Sequence, residues 1–315
     1  MNNVEAHIET LLQRLHGAQS EECLLWIDPA QQDIFAGHPL VEARRIRVPI
    51  QHANFDPTLA PYLVPINVAK YEDADLFGQS VSFAWQAWQM PSLLARNGQP
   101  VCGWVMSDAP ATELAVHWGR RCSLHWVGTQ RLRLRFHDPS VREWLWPILS
   151  VTQRLQLLGP AQGLLSLGRQ LQIVEHRQDA SAPTLNEIEA LGISDAQWSQ
   201  INDYATLHGA WLDYCELDET HRLTLGGAPS YWVADTLSAL QQASHFGIAD
   251  PQDRRLFALH ALQFGSTFYL HPKLQAVWSR TRQGDFYGGA LEDAMQQSAN
   301  QLAGFLEKEK GDAGN

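Results

Sequence analysis

From Gln130 to Phe136 the chain alternates strictly, setting Leu132, Leu134 and Phe136 against Arg131, Arg133 and Arg135. Successive side chains of an extended backbone point to opposite faces, so this alternation predicts a strand with one apolar face and one guanidinium face. The apolar face must be covered, which demands a sheet packed against something else. Asp138-Pro139 closes the strand. Aspartate accepts from the free N–H groups of a first helical turn, and proline at the first helical position gives up no needed donor. A short aromatic helix is predicted to follow, through Trp144 and Trp146 to Pro147.

The surrounding segments supply the rest of that sheet. Ile8, Leu11, Leu12 and Leu15 recur at helical spacing, with Gly17 as a stop. Cys23–Ile27, 45–50 and 62–66 read as strands, and Pro49 and Pro65 place the last two at sheet edges or bulges. A helical region between Asp75 and Arg96 is rich in Phe83, Trp85, Trp88 and Met90. Then come a strand over 101–106, a helix over 109–119, and a hairpin of 122–127 with 131–136 around Gly128-Thr129. Alternating strands and helices make the first part an α/β unit, and the antiparallel hairpin makes its sheet a mixed one, α+β-like in character.

A polar stretch, Glu175 to Pro183, marks a change of composition. Beyond it Thr184 with Glu187, and Ser194 with Gln197, each have the spacing of a capping box. Trp198, Ile201, Ala205, His208, Trp211, Leu212 and Cys215 fall on one side of the helix that the second box begins. Asp250-Pro251 repeats the cap-and-proline signal ahead of 256–264, which is apolar nearly all round and therefore central to its domain. The predicted organisation is a mixed α/β domain over residues 1–178, a mostly α-helical domain over 184–310, and a frayed tail at 311–315.

A net charge of −11 in 315 residues argues against a sequence-independent nucleic-acid binder, which needs clustered Lys and Arg. The charge is uneven, −2 over residues 1–180 and −9 over 181–315. Four isolated cysteines without a C-x-x-C pair indicate a reduced, cytoplasmic protein. Neither an export signal nor a membrane-spanning run is visible.

The thirteen histidines form no H-x-x-x-H or H-E-x-x-H pair, so no metal ligand is assigned. His137-Asp138 resembles half of a phosphohydrolase dyad, but its place at the end of a strand favours a turn and cap, a structural role for Asp138 and Pro139. Gly163 to Gly168 misses the spacing of a G-x-S-x-G elbow. No catalytic residue and no cofactor are therefore expected. The arginine stripe remains. It is either a solvated face paired with local carboxylates or a docking surface for carboxylates or main-chain carbonyls of a partner.

Arg131 to Pro160, with Leu134-Arg135-Phe136-His137-Asp138-Pro139 at its centre, the run Trp144-Leu145-Trp146-Pro147-Ile148-Leu149 and the close Arg154-Leu155-Gln156-Leu157-Leu158-Gly159-Pro160, resembles the signature of the type VI secretion effector-chaperone, or effector-adaptor, family. The resemblance extends upstream to Leu24-Leu25-Trp26-Ile27-Asp28, covers roughly residues 5–170, and reaches Phe257–Phe268. It implies a non-enzymatic carrier that holds a toxic effector protein in the cytoplasm and loads it onto the spike protein of the secretion system. It implies no small-molecule substrate, nucleic acid or membrane as partner. Arg131, Arg133, Arg135, Trp126 and Trp144 are the expected partner-binding residues. The competing reading is a hydrolase with a scattered site between its two domains.

Overall fold

The computed structural model describes residues 3–17, 22–52, 54–123, 125–127, 130–177, 191–217, 232–295 and 302. The chain divides into two compact units, Met1–Trp198 and Ser199–Asn315.

The first unit is built on a six-stranded sheet. In chain order its elements are α1 (Asn3–Gly17), β1 (Glu22–Ile27), α2 (Pro39–Arg44), β2 (Ile46–Arg47), β3 (Tyr62–Asn67), α3 (Tyr71–Ala87), α4 (Met90–Leu94) and β4 (Val101–Met106). There follow α5 (Ala111–Ser123), β5 (His125–Val127), β6 (Gln130–Leu132), α6 (Pro139–Ile148), α7 (Val151–Leu158), β7 (Gly163–Leu167) and β8 (Ile173–Arg177). Strand order is β2-β3-β1-β4-β7-β8, and β5 with β6 forms a separate two-stranded ribbon.

Every described pairing is antiparallel, so the sheet is not mixed. The alternation of strands and helices misled because β3 and β4, joined through α3 and α4, run the same way but lie on either side of β1, antiparallel to both. The expected strand over 45–50 shrinks to Ile46–Arg47 at the sheet edge. β3 is interior, although it contains Pro65. Val48 N–H donates to Pro61 O, so odd-numbered residues of β3 turn their amides toward β2. β2 pairs only with Tyr62 and Leu63 and stops short of Pro65, whose missing N–H leaves no gap in the ladder.

β1 and β4 form the dry centre of this unit, with Trp26, Ile27, Trp104 and Val105 fully buried. β4 approaches β7 closely at Gly103, where φ is 148° and a Cβ would stand 2.3 Å from Leu165 O. Only glycine fits there. The residues around 191–198 are fastened to this unit by two capping boxes that face each other. Ser150 with Gln153 starts α7, and Ser194 with Gln197 starts α8 (Asp195–Asn202). The two glutamine amides exchange hydrogen bonds at 3.0 and 2.8 Å, and Gln153 also donates to Leu191 O and Gly192 O. The division between the units accordingly falls at Trp198, later than the composition change around residues 175–183. Most of that stretch, and the Thr184–Glu187 box, lie outside the described residues; Glu175–Arg177 ends β8.

The second unit is helical: α9 (Tyr204–Glu216), α10 (Trp232–His245), α11 (Pro251–Phe264), α12 (Gln275–Thr281) and α13 (Tyr287–Met295). The apolar run expected as one helix from Trp198 to Cys215 is two, broken at Asp203. Asp250 caps α11 by accepting from Gln252 and Asp253 N–H, with Pro251 in the first turn. α11 packs against α9, α10 and α13, the central position that a helix apolar all round requires. Phe257, Trp278 and Tyr287 are its aromatic core, and Asp253 reaches across to accept from the first amides of α13, Tyr287 and Gly288 N–H.

Candidate partner-binding surface

The residues singled out by alternation do not act as one stripe. β6 ends at Leu132, because only Gln130–Leu132 find partners in β5. Past that point burial still alternates: Arg133 exposed, Leu134 buried, Arg135 half-buried, Phe136 buried. The ladder is replaced by a single bond from Leu134 N–H to Cys122 O at the end of α5. Arg131 lies in β6 and Trp126 in β5, and the positions of their side chains are outside the described residues. Trp144, expected at the surface, is 3% exposed. Its ring area is spent inside the unit, so it is corrected from partner-binding residue to core. α6 turns it inward because Val141, Trp144 and Leu145 share the buried side of a short helix.

The inward side of the 133–138 segment is locked from three directions. Phe136 stands edge-on to Trp26 and Trp118, which stack on each other at 3.8 Å. Asp138 accepts from Ser140 N–H and begins α6, with Pro139 in the first turn. Arg142, one helical turn further on, is fully buried and donates to Phe136 O, His137 O and Cys102 O at 3.1, 3.0 and 2.7 Å. It thereby ties the turn to β4. Burial lowers the Arg142 pKa to about 10, and no carboxylate is needed where three carbonyl oxygens already converge.

Beneath the turn lies the closest approach to reactive chemistry among the described residues. His137 Nε2 is 3.3 Å from Asp28 Oδ2, and its Nδ1 is 3.9 Å from the Cys122 sulfur. Burial pushes Asp28 up, but the hydrogen bond and charge of His137 and the charge of Arg135 outweigh it and hold the carboxyl below its usual range. A thiol, an imidazole and a carboxylate in a row have the order of a nucleophile, base and orienter. Here the row is sealed. His137 is 3% and Asp28 1% exposed, Cys122 is fully buried, and burial pushes its thiol up to about 12. A nucleophilic cysteine needs a depressed pKa and access, and Cys122 has neither. Arg135 closes the top, 3.1 Å from Asp138 and 3.7 Å from Asp28.

The outward side of the same segment is different. Arg133 meets a loop that the sequence reading did not connect with it, its guanidinium carbon 4.7 Å over the centre of the Phe55 ring. Arg47, at the end of β2, donates to Thr58 O at 2.7 Å in that loop. Phe55, Arg47 and Arg142 were all missed. Arg142 stands beside Glu143 in its short helix, so nothing local marks it as buried, and nothing local marks Phe55. Among the described residues no group of three or more His, Cys, Asp or Glu could hold a metal ion, and no helix is long and apolar enough to cross a membrane.

Comparison with known families places this region. Residues 53–156 match the model of a family described as a domain of unknown function (DUF4123), which is associated with type VI secretion effector adaptors. The match covers about a third of the chain and contains Phe55, Cys122, Arg133, Arg135, His137 and Arg142. No curated protein matches the chain, and no solved structure does.

Proposed function

We propose that this chain is a non-enzymatic adaptor that binds one type VI secretion effector in the cytoplasm of the producing cell and delivers it to the spike protein. The observation that carries this reading is the match to an adaptor-associated family over the segment that presents Arg133. The chemistry beneath it supports the same reading. The Cys122–His137–Asp28 row and the Arg142 clamp make the segment rigid, which suits a surface meant to be recognised repeatedly without rearranging.

The test is made in the native cells. The chain, tagged at its own locus, should retain the spike protein and one effector, both identified by mass spectrometry. Deleting its gene should abolish secretion of that effector while leaving other effectors unaffected. Recovery of neither partner, together with undiminished secretion, would overturn the proposal.

A further inference from the structure

Several arginines among the described residues are paired with carboxylates. Arg14 faces Glu175, Arg44 faces Asp73, Arg254 faces Asp203, and Arg280 faces both Asp285 and Asp293. The corner where the 55–59 loop meets Arg133 departs from this pattern. Arg133 is held by the Phe55 ring and Arg47 by the carbonyl oxygen of Thr58, and neither makes an ion pair among the described residues. The acid beside them, Asp56, spends its carboxylate on Thr58 N–H at 2.8 Å and on Thr58 Oγ1 at 2.7 Å. Within the loop and its two arginines one acid stands against two cations, on a chain of net charge −11; Asp28, nearby, is shared with His137 and Arg135.

Partial burial, and then the like charge of Arg135, lower the Arg133 pKa by more than Cys122 and the Asp28 carboxylate raise it, so its cation is held against net opposition. An incoming anion would relieve that opposition. The loop adds apolar surface to the charge: Leu59 is 44% exposed and Phe55 half-buried. Two forked guanidinium groups beside an aliphatic and an aromatic side chain fit carboxylates attached to an apolar segment. A net charge of −11 disfavours nucleic acid or an anionic membrane as the occupant.

We propose that Arg47, Phe55, Leu59 and Arg133 form a docking corner for a partner segment that carries carboxylate side chains next to an apolar one, the acids on the arginines and the apolar group on Phe55 and Leu59. This rests on the adaptor reading for its biological partner but not for its chemistry.

The probe is a fluorescent dodecapeptide alternating glutamate and leucine, compared with glutamine–leucine and lysine–leucine peptides by anisotropy on the full chain. The glutamate peptide should bind, the glutamine peptide should bind more weakly and the lysine peptide should not bind. Arg133→Gln and Arg47→Gln should each weaken the glutamate peptide by roughly tenfold, with thermal midpoints unchanged. Phe55→Ala should weaken it while leaving the Arg133 charge in place. Arg177→Gln, which alters an exposed arginine of β8, is the control and should change nothing. Equal binding of the three peptides, or a glutamate-peptide affinity indifferent to Arg133→Gln and Arg47→Gln, overturns the proposal. The two readings fail separately: a chain that captures no effector sinks the adaptor function, whereas the peptide series alone decides the corner.

Discussion

Lowering the pH from 7 to 5 should cost the helical unit about 2 kcal/mol through His260 alone. His260 sits fully buried on α11, its Nδ1 2.8 Å from the Tyr287 hydroxyl. Phe264, Phe268 and Tyr287 surround it, and burial pushes its pKa from 6.5 to about 3. In the unfolded chain the same side chain titrates near 6.5. Between these values the unfolded state binds a proton that the folded state refuses. Stability is therefore full above about pH 6.5 and is lost as pH falls toward the folded value. At pH 5 the unfolded imidazole is almost wholly protonated and the folded one almost wholly neutral. The gap from 6.5 to 5 is about one and a half units at about 1.4 kcal/mol each, hence the figure of about 2 kcal/mol. The assay is hydrogen exchange at the amides of α11, corrected for intrinsic rates, in parallel with urea unfolding of the full chain. His260→Gln keeps a hydrogen-bonding partner for Tyr287 and cannot titrate, so its profile should be flatter than that of the natural chain by the same amount. If both proteins lose equal stability between pH 7 and 5, or if the His260 ring proton shifts report a midpoint near 6.5, the buried-neutral assignment is wrong.

Arg142→Met preserves much of the side-chain volume but strips the donor from Cys102 O, Phe136 O and His137 O, and should destabilise the first unit by about 3 kcal/mol in urea titration. A loss below about 1 kcal/mol would mean that removing a buried charge compensates for the orphaned carbonyls. Cys122 should react with iodoacetamide at pH 8 roughly a thousandfold more slowly in the native chain than in urea, since burial pushes its thiol to about 12. Mass-spectrometric labelling of native Cys122 at the denatured rate would show that the row it forms with His137 and Asp28 is open to solvent after all.

Local pattern determined much of this protein, because local forces suffice for it. Asp138 and Asp250 cap helices since an aspartate before a proline satisfies amides within its own turn, and α11 is central since an all-round apolar helix has nowhere else to go. The alternation through Phe136 correctly separates buried Leu134 and Phe136 from exposed Arg133, because side-chain direction follows from the extended backbone alone. Whether that backbone pairs does not follow from it. A strand needs a partner at matching register, and β5 supplies one only as far as Leu132.

The tertiary structure decided everything that depends on which segments meet. It made the sheet antiparallel by inserting β1 between β3 and β4, although the intervening α3 and α4 are compatible with a parallel pair. It took Trp144 from the surface to the core, and it brought Asp28, Cys122 and His137, which lie far apart in the chain, into one buried row. It also gave Arg133 an aromatic platform instead of a carboxylate. Contacts between residues so distant in sequence are set by how whole elements pack, and no periodicity of 2 or 3.6 residues carries that information.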